Sequence, residues 1–357
     1  MKKILIITGG SGGHVMPSLS IYDHLKHNFD ITIITDIRGS KYINENYKSV
    51  LIDVPNIFSK FYLFPINLIK FFISILNSNF YLKKNNIDFI ISTGGYMSLP
   101  LCIASRFLNI KVFLFEPNSV LGQANKFMLK ISKKIICYDE EIKRFPIKFL
   151  DKICFINPIL RKDFYTIEKN KKKEFGNIKK ILIIGGSQGA RFFDEKITEI
   201  ILETSKKLKI EVHQQIFSKN DKNLISQKYQ KRGVKHILFD FDENFLKKSN
   251  DFDLAITRSG ASAISELAYL TIPFIAIPFP FSKDNHQYYN AKFYEKRNCC
   301  WIISQKNINV EMLSNKLFQI FNEKEDYFTK KRNLEEISNQ NTWNIVNKKL
   351  LDLIDEN

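Results

Sequence analysis

The residues best suited to chemistry lie in a glycine-rich segment near the start of the chain. Residues 2–17 read KKILIITGGSGGHVMP, so a short aliphatic run breaks into glycines and ends on His14. The run predicts a buried parallel strand over Ile4–Ile7, and a helix is expected to follow over Pro17–His27. Because glycines leave backbone amides open and a helix N-terminus attracts anions, the segment predicts a phosphate-binding loop. His14, directly after the glycines, is expected to face the ligand.

Two segments of the second half carry similar signals. Residues 179–190 read KKILIIGGSQGA and repeat the pattern of the first loop, so we expect two copies of a nucleotide-binding module. Residues 258–266 read RSGASAISE and follow another aliphatic run. Their small side chains would let a diphosphate approach the free amides of a first helical turn, and Glu266 could accept hydrogen bonds from ribose hydroxyls.

Three polar loops follow other predicted strands. They are TGGY at 93–96, EPNSVLGQAN at 116–125 and PFPFSKDNHQYYN at 278–290. Open α/β sheets bind ligands at the carboxyl ends of their parallel strands. We therefore expect these loops and the glycine loops to lie at the edges of two sheets and to line a cleft between two domains.

Two other chemistries fit the glycine loops less well. A dinucleotide fingerprint needs a third glycine where Val15 stands, although Asp36 lies near the position of a ribose-binding acid. The G-x-S-x-G pattern of serine hydrolases occurs at 9–13 and 185–189. That reading needs an acid and then a histidine downstream, and the available pair, Asp284 and His286, stands too close together. The phosphate loop is the better interpretation.

Alternating strands and helices must position these loops. Such alternation predicts an α/β fold with parallel sheets and helices on both faces. A polar, basic linker is expected at 157–176, and one or two helices over 333–357. The predicted domains are 1–158, 159–335 and a helical tail, 336–357, that packs back towards the first domain. Aliphatic runs predict the remaining strands at 31–35, 89–92, 111–115, 134–138, 181–184, 211–216, 236–239, 253–257 and 274–278.

Composition limits the compartment and the partners. The 357 residues include 54 Lys and Arg against 37 Asp and Glu, a net charge of +17. This charge favours a polyanionic partner, although an AT-rich genome would raise the lysine content without any selection for binding. Five scattered cysteines without metal-ligand spacing predict reduced thiols in the cytoplasm and no zinc site. We expect neither a signal peptide nor a membrane-spanning segment.

Residues 58–84 stand apart because apolar and aromatic side chains dominate them. A helix that is apolar around most of its circumference is usually buried in a core. The flanking Lys60, Lys83 and Lys84, together with many phenylalanines, also fit a surface that enters a lipid interface. Both interpretations follow from the residues alone.

Seven ordered motifs along nearly the whole chain resemble the MurG family of bacterial glycosyltransferases, part of glycosyltransferase family 28. The resemblance implies a GT-B fold, in which two Rossmann-like parallel-sheet domains hold the acceptor and the donor. The motifs are GGSGGH at 9–14, GGY at 94–96, E-x-N-x-x-x-G-x-x-N-K at 116–126, N-P-x-x-R at 157–161, GGSQGAR at 185–191, R-S-G-A-x-x-x-S-E at 258–266 and K-D-x-x-Q-Y-x-N-A at 283–291.

The resemblance also implies an activity. Members of the family move GlcNAc from UDP-GlcNAc to the C4 hydroxyl of undecaprenyl-diphospho-MurNAc-pentapeptide, with inversion, during peptidoglycan synthesis on the cytoplasmic face of the inner membrane. Phe241 takes a position whose backbone the family uses at the uracil. Carried onto this sequence, the family's donor contacts fall on Ser11, Gly12, Gly13, Asn118, Arg161, Ser187, Phe241, Ala261, Ser262, Ala263, Ile264, Ser265, Glu266 and Gln287.

Departures from the family pattern affect the choice of general base. The family commonly has His-Glu-Gln-Asn where this chain has Phe-Glu-Pro-Asn at 115–118, and Gln-Gln where it has His-Gln at 286–287. The first departure leaves His14 as the leading base, with Glu116 as alternative or assistant. No cofactor and no metal are expected, because the 260–266 helix start and Ser187 can stabilise the leaving diphosphate and no Asp-x-Asp pair is expected at a strand end.

The resemblance favours membrane docking for residues 58–84, since the family presents an apolar patch with basic neighbours close to its acceptor site. The expected partners are UDP-GlcNAc, the undecaprenyl-linked muramyl-pentapeptide and an anionic inner-membrane surface. A nucleic-acid-binding protein would explain the charge, but no recognition motif is evident, so no nucleic-acid partner is expected. The nearer rival is another UDP-sugar enzyme of the same fold, such as a UDP-GlcNAc epimerase.

Overall fold

The chain forms two compact units in a computed structural model. One unit comprises Met1–Lys162 and Trp343–Asn357, and the other comprises Asp163–Thr342. The predicted boundaries were 158 and 335, whereas the units divide after Lys162 and after Thr342. The structure describes residues 1–10, 12–54, 64–169, 174–186, 190–240, 242, 245–248 and 251–355.

The strands are short, and each contains at least one β-branched residue. The strands are β1 Lys3–Ile7, β2 Asp30–Thr35, β3 Ser49–Leu51, β4 Phe89–Ser92, β5 Lys111–Glu116, β6 Lys134–Cys137, β7 Ile153–Phe155, β8 Lys179–Ile184, β9 Ile210–Gln215, β10 Lys235–Phe239, β11 Leu254–Thr257, β12 Phe274–Ala276 and β13 Cys300–Ile302.

Helices follow most of the strands. They are α1 Gly12–Leu25, α2 Ile37–Ser40, α3 Phe64–Asn85, α4 Leu99–Phe107, α5 Gln123–Met128, α6 Thr198–Thr204, α7 Lys222–Lys231, α8 Phe245–Lys248, α9 Ala261–Tyr269, α10 His286–Glu295, α11 Val310–Asn322, α12 Lys324–Gln340 and α13 Trp343–Asp355. Short 3-10 turns lie at Tyr96–Ser98, Ile147–Lys152, Lys162–Thr166, Lys219–Asp221, Lys283–Asn285 and Gln305–Asn307, and a π-helical turn at Phe193–Ile197.

Each unit is built on one parallel sheet. The first sheet has the strand order β3-β2-β1-β4-β5-β6-β7 and the second has the order β10-β9-β8-β11-β12-β13. In the first, Ile4 pairs with Ile31 on one side and with Phe89 on the other. Ile4–Ile7 are completely buried, because helices cover both faces of a parallel sheet. The predicted α/β fold with two parallel sheets is confirmed.

Several element boundaries differ from prediction. Helix α1 begins at Gly12, not at Pro17, so His14 lies inside the helix. Proline favours the first turn of a helix, but here the preceding glycines adopt helical geometry as well. Strands β3, β7 and β13 were not predicted; each has three residues and lies at an edge of its sheet, where a strand is not a long aliphatic run buried on both sides.

Helix α3 exposes most of its large apolar side chains, whereas a core helix would bury them. Its buried positions are Asn67, Phe71, Ser78 and Leu82, while its large apolar side chains Ile66, Ile69, Phe72, Ile73, Leu76 and Phe80 are exposed. Burial in a core, one of the two interpretations of residues 58–84, is therefore wrong for the described part of that segment. Residues 58–63 lie outside the described residues. Among the described helices, none has the length and apolarity needed to cross a bilayer.

Candidate active site

In the first unit, two loops lie side by side where the strand order of the sheet reverses. β1 has β2 on one side and β4 on the other, and ligand sites of open parallel sheets form at such points. The N–H of Thr93, just after β4, donates to Ile7 O at 3.0 Å. The Thr93 hydroxyl donates to the Thr8 hydroxyl at 2.9 Å. The TGGY loop is thereby held against the first glycine loop.

His14 is half-buried in the first turn of α1. Its Nδ1 lies 2.9 Å from the carbonyl oxygen of Thr93. A carbonyl oxygen can only accept, so Nδ1 must carry the hydrogen, and the lone pair of the neutral ring lies on Nε2. No hydrogen bond to Nε2 is seen among the described residues. The ring is therefore fixed in the tautomer that a general base requires.

Asp36 supports the first glycine loop and does not fit the role of a ribose-binding acid. One carboxylate oxygen accepts the N–H groups of Gly10 and Gly39, both at 2.8 Å, and the other accepts the Arg38 guanidinium. Partial burial raises the pKa of Asp36, but these hydrogen bonds outweigh it and hold that pKa below its usual value. Gly10 has φ of +82°, a conformation that glycine adopts without strain.

Glu116 is a buried carboxylate at the end of β5. One of its oxygens accepts the backbone N–H and the side-chain amide of Asn118, at 3.3 and 3.0 Å. The other accepts the N–H of Gly122 at 2.8 Å and the side-chain amide of Asn125 at 3.0 Å. Four donors fill the lone-pair directions of a carboxylate. Glu116 therefore holds the following loop in shape and has no evident acceptor site left for a substrate proton.

The second glycine loop is held by a glutamine from the neighbouring strand. Gln215, the last residue of β9, accepts the N–H of Gly185 at 3.1 Å and donates to Gly186 O at 2.8 Å. Gly186 has φ of +89°. Gln215 was not among the predicted site residues, although the run of polar side chains in the buried strand IEVHQQ indicated that these side chains have hydrogen-bond partners.

Arg258 fixes the turn between β11 and α9. Its guanidinium is buried, donates to the carbonyl oxygens of Ile277 and Pro278 at 3.0 and 3.3 Å, and donates to Gln305 Oε1 at 2.6 Å. Burial lowers the pKa of Arg258 to about 10, so it stays charged at neutral pH. The Asn290 side-chain amide holds the same turn through Ser259 O at 3.2 Å.

Helix α9 presents the predicted anion site at its start. Ala261, Ser262 and Ala263 are partly exposed, and their amides have no acceptor inside the helix. A Cβ atom at Gly260, the residue before this helix, would meet nothing within 4 Å among the described residues.

Two of the residues expected to contact the donor face the core instead. Ile264 and Ser265 are buried, and the Ser265 hydroxyl accepts the Tyr294 hydroxyl at 3.2 Å. Glu266 is partly exposed and lies one turn after Ser262, on the same face of α9.

The remaining predicted positions are spread over both units. Gln287, at the start of α10, accepts the N–H of Phe279 at 2.9 Å. Arg161 belongs to the first unit, although it was expected in the second domain. Gly12 is buried and Gly13 is exposed at the start of α1. Three predicted donor contacts, Ser11, Ser187 and Phe241, lie outside the described residues.

The expectation that no Asp-x-Asp pair lies at a strand end is wrong. β10 ends at Phe239, so Asp240 and Asp242 do form an Asp-x-Asp pair directly after a strand. Asp240 pairs with Lys219 at 3.3 Å. Among the described residues, no cluster of three or more His, Cys, Asp or Glu side chains has the geometry of a metal site.

Comparisons with known proteins agree with this architecture. Residues 4–137 match the glycosyltransferase family 28 N-terminal domain, and residues 180–343 match the C-terminal domain of the same family. The structure of MurG from Acinetobacter baumannii has a TM-score of 0.78 at 21% identity, with both chains covered completely. A UDP-GlcNAc 2-epimerase from Neisseria meningitidis has a TM-score of 0.66 at 13% identity, over 99% of this chain and 100% of the other. At these identities the likeness concerns the fold alone.

Sequence relatives are more specific. A UDP-N-acetylglucosamine–N-acetylmuramyl-(pentapeptide) pyrophosphoryl-undecaprenol N-acetylglucosamine transferase from Pelagibacter ubique is 44% identical over 100% of this chain and 99% of its own length. An enzyme of the same name from Rickettsia felis is 34% identical over 90% of this chain and 91% of its own length. The chain belongs to glycosyltransferase family 28.

Proposed function

We propose that this enzyme transfers GlcNAc from UDP-GlcNAc to the C4 hydroxyl of undecaprenyl-diphospho-MurNAc-pentapeptide, with inversion at the anomeric carbon. The full-length relative at 44% identity supports both substrates. The observation that carries the chemistry is the fixed ring of His14, whose Nδ1 is bound to the Thr93 carbonyl.

His14 is the general base of the proposed mechanism. Inversion requires the acceptor hydroxyl to attack opposite to the departing UDP, which is mainly a matter of positioning. As the new glycosidic bond forms, the hydroxyl loses its proton to Nε2, and the Thr93 carbonyl stabilises the resulting imidazolium through Nδ1–H. Since the four hydrogen bonds to Glu116 occupy its oxygens, we assign that residue to support of the loop and not to proton transfer.

The donor diphosphate binds to the second unit in this proposal. The free amides of Ala261–Ala263 and the positive end of the α9 dipole stabilise the negative charge that UDP gains as it leaves. Arg258 keeps these amides in place through its bonds to the carbonyls after β12. Glu266 and Gln287 are proposed to contact the nucleoside, and Ile264 and Ser265 to act through their backbone or through packing.

Helix α3 is proposed to dock the enzyme on the cytoplasmic face of the bacterial inner membrane. Its exposed apolar face is continuous along the helix, and Lys70, Lys83 and Lys84 are exposed beside it. Apolar insertion and attraction to anionic lipid act together on such a surface. Docking there would bring the first unit to its lipid-linked acceptor.

Transfer of radiolabelled GlcNAc to purified undecaprenyl-diphospho-MurNAc-pentapeptide tests the function. The expected result is a labelled lipid-linked disaccharide with a β linkage, formed together with UDP. Conversion of UDP-GlcNAc into its C2 epimer without any labelled lipid would assign the chain to the epimerases of this fold instead.

A further inference from the structure

The first unit exposes its large apolar side chains mainly on one face of its sheet. Helices α3, α4 and α5 and the 3-10 turn Ile147–Lys152 cover this face. They pack against the same core cluster, through Leu82, Leu101, Met128 and Phe149 respectively. In the described part of the chain, the opposite face is covered by α1 and α13, which expose one large apolar side chain between them, Ile345. Such an asymmetry indicates that the first face meets another surface.

The 3-10 turn carries two exposed aliphatic side chains. Ile147 is 84% exposed, the highest value among the described large apolar side chains, and Leu150 is 50% exposed. Residues three apart in a 3-10 helix point to the same side, so Ile147 and Leu150 lie next to each other. Phe149, between them in the sequence, packs against the core instead. The turn therefore holds an apolar ridge in water, at the cost of the free energy that burial would contribute.

Exposed aromatic side chains lie on the elements between this turn and α3. Phe127 of α5 is 71% exposed, and Phe107 at the end of α4 is 72% exposed. Helix α4 packs against both α3 and α5. The turn is tied to the end of α5 by Lys152, whose Nζ donates to Leu129 O at 2.7 Å. The exposed apolar side chains are therefore spread over neighbouring elements from α3 to the turn.

Basic side chains outnumber acidic ones around α5 and the turn. Residues 123–152 hold six exposed basic side chains, Lys126, Lys130, Lys133, Lys143, Arg144 and Lys148, against three exposed acidic ones, Glu140, Glu141 and Asp151. The Nζ of Lys148 lies 5.2 Å from the ring centroid of Phe149, so this charge stays beside Ile147. Positive charge around apolar side chains fits an anionic lipid surface. A second copy of the chain would instead bring the same cations together, which is unfavourable.

We propose that Phe127, Ile147 and Leu150, with Lys126 and Lys148 beside them, form a second membrane contact of the first unit, here called the α5 patch. Its partner is the anionic lipid surface on which α3 docks. A single helix on a bilayer leaves the unit free to rotate about the helix axis, whereas a second contact on the same face of the sheet stops that rotation. The proposal deepens the proposed membrane docking and rests on it.

Quenching of tryptophan by lipids brominated in their acyl chains tests the α5 patch in the full-length protein. Phosphatidylglycerol-containing vesicles with and without bromolipid are compared, and the signal of the two native tryptophans is subtracted. Ile147→Trp places the probe at the tip of the patch, and Ile345→Trp is the matched control on the opposite face. We expect the fluorescence added at 147 to lose most of its intensity with bromolipid and the fluorescence added at 345 to keep it.

Co-sedimentation with the unbrominated vesicles supplies a second measurement. Phe127→Ser, Ile147→Ser and Leu150→Ser combined should weaken partitioning by about tenfold or more, because three apolar side chains no longer leave water. All three side chains are exposed, so the variant is expected to fold. Ile345→Ser is its control and should partition like the wild type.

Three outcomes would contradict the proposal in different ways. An unquenched Ile147→Trp together with a quenched Phe72→Trp on α3 would overturn the α5 patch and leave docking through α3 intact. Absence of quenching at both positions would refute the membrane docking on which the proposal rests. Wild-type partitioning of the triple variant, together with loss of a dimer that the wild type forms in sedimentation, would assign this face to a second copy of the chain.

Discussion

His14 depends for its position on residues that are far away in the sequence. The glycine-rich pattern predicted a histidine at a ligand-binding helix start, because that pattern is local. It could not predict the Thr93 carbonyl, which is 79 residues away. Such contacts arise where separate strands end at one sheet edge. The pattern also could not show that Glu116 has four donors of its own.

Asp36 gives a prediction about the first glycine loop. Asp36→Ala removes the acceptor for Gly10, Gly39 and Arg38 and also removes the N-cap of α2. We expect the free energy of unfolding of the first unit to fall by about 1–3 kcal/mol. Urea denaturation at neutral pH measures this loss.

Arg38→Ala is the control for that variant. The Arg38 side chain is 78% exposed, and exposed ion pairs contribute at most about 1 kcal/mol. Equal losses in the two variants would show that the ion pair, and not the bonds to the loop amides, is what stabilises this region.

Helix α3 shows where a sequence pattern fails at the level of an element. An apolar helix with a narrow polar stripe is normally interpreted as a core helix, yet here Asn67 and Ser78 are buried and most of the large apolar side chains are exposed. The buried face is set by its neighbours: Phe71 packs near Tyr96, with ring centroids 6.0 Å apart. Periodicity gives the faces of a helix but not which of them meets the rest of the protein.

The exposed face of α3 can be tested with vesicles. Phe72, Leu76 and Phe80 are 59%, 70% and 69% exposed and lie one turn apart along one face. Replacing all three by Ser should weaken partitioning into phosphatidylglycerol-containing vesicles by tenfold or more, since burying each such side chain contributes about 1.5–3 kcal/mol. Co-sedimentation with vesicles at physiological salt measures the change.

Leu224→Ser serves as its control, because Leu224 is 54% exposed on α7 of the second unit. It should partition like the wild type. Unchanged partitioning of the triple variant would remove α3 as the docking surface.

Over the whole molecule, the duplicated strand-and-glycine segments predicted both sheets and the place of both candidate sites. The central strands were found because buried parallel strands are continuous aliphatic runs. The short outer strands and the start of α1 were not found, since pairing and packing decide them.

The C-terminal helix joins the first unit through a buried histidine. His24 of α1 stacks on Trp343 of α13, with ring centroids 3.6 Å apart. Burial lowers the pKa of His24 from 6.5 to about 4, against a smaller opposing effect of Asn347. The unfolded chain therefore binds a proton below about pH 6.5 that the folded chain does not accept until about pH 4.

This linkage predicts a loss of stability in mild acid. Between pH 7 and pH 5 the free energy of unfolding of the first unit should fall by about 2 kcal/mol on account of His24. His24→Phe, which keeps an aromatic ring against Trp343, should remove that part of the pH dependence. Urea unfolding followed by Trp343 fluorescence in a Trp301→Phe background reports on this unit.

His27→Phe is the matched control, since His27 is exposed just after α1. It should keep the wild-type pH dependence. The same slope in wild type and His24→Phe would contradict the assignment of this effect to His24.

The role of His14 as general base is tested most directly by measuring GlcNAc transfer and UDP-GlcNAc binding on the same preparations of wild type and His14→Ala. The account predicts that kcat falls by about 10²–10⁴-fold in the variant, while the Kd for UDP-GlcNAc changes by less than about twofold, because the proposed diphosphate contacts lie in α9. Full transfer activity in His14→Ala would contradict it.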